Sequence, residues 1–178
     1  MPPRFFHRFI LGSLVGVAVT SAAGAEERIT PPLGVSWGEP QKRIEGRLVA
    51  AKATIVERRK LGGRDAWSVE KLSQPNLRRT MFYFRNGGLV EVEFQYQNPA
   101  WDEGQASAFF ADLRQRVEAR YGSGKMIARS KNPKDGITQS LVGYEWLRGD
   151  AAVDVIYFAA ENADYAYRTV SLHYKQVD

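Results

Sequence analysis

Asn86-Gly87-Gly88 separates two alternating runs, Thr80 to Arg85 and Leu89 to Tyr96. Asn-Gly accepts the positive φ angles that a tight hairpin turn demands, so the two runs fold back on each other as antiparallel strands. Successive strand residues point to opposite sides. The second run therefore places Val90, Val92, Phe94 and Tyr96 on one face and Glu91, Glu93, Gln95 and Gln97 on the other.

The remaining segments supply partners for that hairpin. Trp37-Gly38-Glu39-Pro40 opens a short helix with Pro40 in its first turn and Ile44, Leu48 and Val49 along one edge. Residues 51–72 read as two strands around Leu61-Gly62-Gly63-Arg64-Asp65. After the break at Asn98-Pro99, Asp102 caps the strongest helix, with Gln105 three residues on as a capping-box partner. Ala106, Phe109, Phe110, Leu113, Val117 and Tyr121 recur at helical spacing as one buried stripe, and Gly122 ends the helix. Three or four strands close the chain, near 125–130, 137–147, 151–158 and 165–176, with turns at Asn132 to Gly136 and Arg148-Gly149-Asp150.

The order of helix then antiparallel strands occurs twice, over 33–97 and 101–178. Ile44-Glu45-Gly46-Arg47-Leu48 echoes Val117-Glu118-Ala119-Arg120-Tyr121, and Phe84 to Gly88 loosely echoes Trp146 to Asp150. The expected fold is α+β: an antiparallel sheet with two helices on one face, built from two degenerate helix-plus-strands halves within a single domain spanning 26–178.

Residues 1–25 are of a different kind. Arg4 and Arg8 precede an apolar run from Phe9 to Thr20, and Ala23-Gly24-Ala25 has the small-x-small form of a signal-peptidase site. Cleavage near Ala25 would deliver the product to the periplasm or outside the cell, with no transmembrane anchor left on it. No cysteine follows the signal, so an N-terminal lipid anchor is not expected. The chain has no cysteine at all, which rules out disulfides, thiol catalysis and thiolate metal sites.

Charge is uneven. Residues 26–85 carry 13 basic and 7 acidic side chains, whereas residues 86–178 carry 10 and 13. A basic first half can steer the chain toward an envelope protein or an anionic envelope component, and Arg43, Arg47, Arg58 and Arg59 are the contact candidates. Nucleic acid is not expected as a partner of an exported protein of modest net charge.

Catalytic motifs are weak. His173 is the only histidine outside the signal, and its position predicts a strand surface. Glu91 and Glu93 could serve as paired carboxylates, but same-face strand carboxylates ordinarily keep a sheet soluble. Gly122-Ser123-Gly124-Lys125 has the glycines of a phosphate loop but follows a helix instead of opening one, so it reads as a helix stop. Arg148-Gly149-Asp150 reads as a hairpin turn. No cofactor is called for. Trp37, Trp67, Trp101 and Trp146 are too dispersed for a carbohydrate strip and read mostly as core.

Leu33-Gly34-Val35-Ser36-Trp37-Gly38 and Phe82 to Val90 resemble segments of small uncharacterised bacterial periplasmic proteins. The order of elements is similar to the helix-plus-hairpin units of the SmpA/OmlA outer-membrane assembly lipoproteins and of the beta-lactamase-inhibitor-protein fold. That resemblance implies protein binding. The expectation is thus an exported, non-enzymatic protein that binds an envelope component through its sheet face or its basic first half. One alternative is an envelope hydrolase, which requires a cleft gathering Glu91, Glu93, Asp154 or His173. Another is a lipid or lipopolysaccharide carrier, which requires a continuous apolar cavity between sheet and helices.

Overall fold

A computed structural model describes residues 27–177; the signal peptide expected over residues 1–25 and the cleavage expected near Ala25 lie outside the described residues. Chain order is α1 (Gln41–Ala50), β1 (Thr54–Leu61), β2 (Arg64–Glu70), β3 (Leu77–Arg85) and β4 (Gly88–Tyr96). There follow α2 (Glu103–Tyr121), β5 (Lys125–Lys134), β6 (Ile137–Arg148), β7 (Ala151–Glu161) and β8 (Ala166–Gln176). The strands form one sheet in the order β1-β2-β3-β4-β8-β7-β6-β5, and every neighbouring pair is antiparallel. Each half is a helix followed by a four-strand meander, and the two meanders meet along the β4–β8 seam.

Local chemistry explains the boundaries. Asn86 (φ 51°) and Gly87 (φ 79°) turn β3 into β4 in the left-handed conformation that Asn-Gly tolerates. Asp102 accepts from the Gln105 backbone N–H at 2.7 Å, and the Gln105 side chain accepts from the Asp102 N–H at 3.0 Å, closing the capping box of α2. Pro40 stands just ahead of α1 with extended backbone (ψ 145°), outside the first turn where its ring was expected.

Both helices lie on the same side of the sheet. Ile44 and Leu48 of α1 join Ala106, Leu113, Val117 and Tyr121 of α2 in one apolar cluster with Phe82, Val92, Phe94, Val153, Val155 and Leu172. Trp67 and Trp146 are buried in it, and Trp37 and Trp101 pack at its margin. The cluster contains strand residues from both halves, so burial of shared apolar surface holds the two meanders together.

Two further expectations change. The pairs Tyr83–Glu91 and Phe84–Leu89 leave Val90 as an extra residue on β4. This bulge turns Val90 away from Val92: Leu89 takes the core position, and Val90 packs on the opposite face beside Ala66, Met81 and Tyr83. Asn132-Pro133-Lys134 is strand, not turn, and only Asp135 (φ 53°) and Gly136 (φ 78°) form the bend. Pro133 is tolerated because β5 is the outermost strand.

The internal echo is not established by these positions. Ile44 and Leu48 occupy buried positions in α1 as Val117 and Tyr121 do in α2. The second echo joins the β3–β4 turn to the β6–β7 turn, which are not equivalent in the order of the two meanders.

Candidate functional site

Strand alternation places a file of mostly polar residues, interrupted by the buried Met81, on the face that neither helix covers. Lys125, Glu145, Asp154, His173, Glu93, Met81, Ser68 and Glu57 stand directly opposite one another across β5, β6, β7, β8, β4, β3, β2 and β1. Directly opposed residues project from the same face. The neighbouring file adds Lys175, Glu91, Tyr83, Ala66 and Arg59. The four residues Glu91, Glu93, Asp154 and His173 are therefore gathered, although they come from three strands widely separated in sequence.

Their carboxylates are not the solvated groups that the alternation suggested. Glu91, Glu93 and Asp154 are only 9%, 7% and 6% exposed, because longer side chains from adjacent strands lie over them. Arg64 donates to Glu91 at 2.5 Å while stacking 4.6 Å from the Tyr83 ring centroid. Tyr83 donates its hydroxyl to Glu93 at 2.9 Å, and Gln95 donates to the same carboxylate at 2.7 Å. Glu145 and Asp154 would repel as direct neighbours; Lys175 bridges them at 3.2 and 2.6 Å.

His173 sits at the centre of this strand face, where alternation placed it, but its neighbours leave its side chain only 17% exposed. Nδ1 is 3.0 Å from Glu91, and Nε2 is 2.9 Å from the Ser171 hydroxyl and 3.6 Å from Glu93. Burial alone would lower the imidazole pKa, but the Glu91 hydrogen bond and the charges of Glu93, Glu91 and Asp154 raise it above its ordinary value. Burial would raise the Glu91 carboxyl, yet hydrogen bonds from His173 and Arg64 hold it below the usual range. At Asp154 burial prevails over Lys175, and the pKa rises; its Oδ1 is buried without a hydrogen-bond partner.

Ser171, His173 and Glu91 are connected in the order of a nucleophile, base and orienting acid. The electrostatics oppose that use. A base must accept the hydroxyl proton, whereas the surrounding carboxylates favour an imidazolium whose Nε2–H donates to Ser171. Ser171 also lies in the middle of β8, paired with Gln95 on one side and Ile156 on the other, so the ladders on both sides engage the backbone around it.

The basic candidates of the first half do not converge. Arg43 and Arg47 flank the buried Glu39 at 3.8 and 2.8 Å. Arg58 pairs with Glu45 and lies 4.7 Å from the centroid of Trp67, on the helix side. Arg59 pairs with Glu57 at 3.4 Å on the opposite face. All four are thus engaged within the chain.

The half-by-half charge balance concealed a second basic element. Strand β5 carries Lys125, Arg129, Lys131 and Lys134 and no acid. Counting charge in windows the length of a strand would have found it. Beside β5, a cavity of about 590 Å³ opens between α2 and the β5–β6 hairpin. An apolar cavity under α1, lined by Val35, Ile44, Leu48 and Phe82, measures only about 140 Å³, below the size of ordinary small-molecule sites.

Gly122 is the C-cap of α2, so the phosphate-loop glycines fall on a helix stop, and Gly149 (φ 60°) bends the β6–β7 turn. Among the described residues, no cluster of three or more His, Asp or Glu side chains is arranged to hold a metal ion, and no helix is long and apolar enough to cross a membrane. Compared with known proteins, the chain matches no family model, no curated protein and no solved structure.

Proposed function

We propose that this chain is an exported, non-enzymatic module that binds another protein of the cell envelope with the helix-free face of its sheet. The observation that carries this reading is the file Glu145–Asp154–His173–Glu93, braced by Arg64, Tyr83 and Lys175, on a face that both helices leave open. A polar network whose members already hold one another in place loses little side-chain freedom when a partner arrives. Its fixed pattern of charge discriminates between partners more than it adds raw affinity. Apolar side chains on the same face, Leu147 (52% exposed) and Ile127 (43% exposed), would supply contact area around it. The arginines of the first half recede in this reading, because Arg43, Arg47 and Arg58 serve internal ion pairs away from that face.

Site-specific photo-crosslinking in the native envelope tests the reading. A photoreactive residue at Leu147 or Ile127 should capture one dominant protein, and the same group at Val49 on α1 (70% exposed) should not. Equal capture from both faces, or none from the open face, would sink it.

A second reading rests on the Ser171–His173–Glu91 connection, which a hydrolase could use. It predicts that the purified protein turns over an activated ester and that Ser171→Ala abolishes the turnover. Activity that survives Ser171→Ala removes that reading.

A further inference from the structure

We infer that the cavity between α2 and the β5–β6 hairpin is a binding site for a small amphipathic anion: one carboxylate, sulfonate or phosphate head on a compact apolar body. It lies on the opposite side of the sheet from the proposed partner face and stands independently of it. Helix α2 packs on β7 and β8, so the helix side of β5 and β6 is left to form a wall of this cavity. Arg129, Val142 and Tyr157 are directly opposed across β5, β6 and β7 and therefore share that face. Val142, Tyr157 and Phe110 of α2 give the cavity an apolar floor, the last two with ring centroids 6.0 Å apart. Arg129 and Lys131 stand over it from the edge strand.

Three observations together exceed what a charged edge strand needs for its own protection. Lysines on an edge ordinarily discourage strand-to-strand aggregation and require no cavity behind them. Here Arg129 and Lys131 face the cavity, while Lys125 projects from the other face opposite Glu145. Neither Arg129 nor Lys131 has an ion-pair partner among the described residues, in contrast to Arg43, Arg47, Arg58 and Arg59. The volume of about 590 Å³ also falls in the ordinary range of small-molecule sites. Glu103, in the first turn of α2, lines the same cavity and opposes the two cations with a single negative charge. That leaves the balance positive and favours a ligand with one anionic head over one with several.

Two fluorescent probes that differ only in the head group test the inference on the purified protein. Anilinonaphthalene sulfonate carries an aromatic body and a sulfonate, and phenylnaphthylamine is the same body without it. The sulfonate probe should bind at least about tenfold more tightly than the neutral one, and Arg129→Glu with Lys131→Glu should bring that ratio close to one. Both side chains are exposed, so the double variant keeps the fold. Lys125→Glu with Lys134→Glu makes the same change in net charge and should leave the ratio intact. An equal ratio in wild type and in the cavity variant overturns the inference, as does an equal loss in the two double variants. Competition then assigns the source of the anion. Displacement by phosphatidylglycerol vesicles but not by phosphatidylcholine vesicles identifies a lipid head group, and displacement by free decanoate alone identifies a soluble acid. A sulfonate probe that neither displaces would also overturn the assignment.

Discussion

Glu91 on β4 and His173 on β8 join the two halves of the sheet through a 3.0 Å contact between Oε1 and Nδ1, the polar counterpart of the apolar pair Phe94–Leu172 on the other face. The contact is charge-assisted when the imidazole is protonated, and Glu93 and Asp154 also bear on His173 from the adjacent strands.

The first expected outcome concerns pH. His173 has a folded pKa above its ordinary 6.5, so its stabilising contribution is complete below 6.5 and is lost as pH rises through the folded value. Glu91 has the opposite sign. Its folded pKa is depressed, and its contribution is lost only as pH falls below 4.5 and through the folded value. Denaturant unfolding of wild type between pH 6 and 9 should therefore show declining stability that is absent in His173→Gln. Parallel curves for the two proteins would refute the protonated seam.

Much of the fold was legible in short-range chemistry. The Asn86-Gly87 turn, the Asp102–Gln105 box and the apolar stripe of α2 each specify a local shape through neighbours within a few residues. The bulge at Val90 was not legible, because it depends on how β4 registers against β3, and alternation alone treats every position as regular. Pro133 misled for a related reason: only knowledge that β5 is an edge strand makes proline acceptable there. The central site was half legible. Glu91, Glu93, Asp154 and His173 could be named, but strand order alone sets Asp154 beside His173 and His173 beside Glu93. Their burial depends on Arg64 and Tyr83, contributed by still other strands. The cavity beside β5 escaped notice because a charge total over half the chain averaged four clustered cations against distant acids.

Lys175 should matter more for stability than an ordinary surface lysine. It is the cation between Asp154 and Glu145, and Asp154 is buried with one oxygen already unpartnered. Lys175→Met would leave a buried carboxylate without its counter-charge, at a cost of about 3 kcal/mol, the low end for such pairs because the lysine is 27% exposed. Lys175→Met combined with Asp154→Asn should recover most of that loss. Chemical denaturation of Lys175→Met, Asp154→Asn and the double variant checks this, and additive losses would show that the pair is not coupled.

The capping box gives a smaller and cleaner expectation. Asp102→Ala leaves the Gln105 backbone N–H without its side-chain acceptor at an exposed helix start, which costs about 1 kcal/mol. Thermal unfolding should register it as a drop of a few degrees in Tm, with the far-UV helical signal of the folded protein retained. No change in Tm would mean that water replaces the cap without loss.

Two glycine-to-alanine substitutions should move stability in opposite directions. Gly46 lies inside α1, and a Cβ built there meets nothing within 4 Å. Alanine would reduce the freedom of the unfolded chain without a clash and should stabilise the protein by about 0.5–1 kcal/mol. Gly124 lies against Trp146, and a Cβ there would stand 2.5 Å from two carbons of the indole ring. That ring is fully buried, and its N–H donates to the Gly122 carbonyl at 2.7 Å. It cannot retreat without breaking this bond and disturbing the start of β5, so Gly124→Ala should cost about 1–3 kcal/mol. Denaturant midpoints of the two variants test both signs. A neutral Gly124→Ala would show that Trp146 has room to shift.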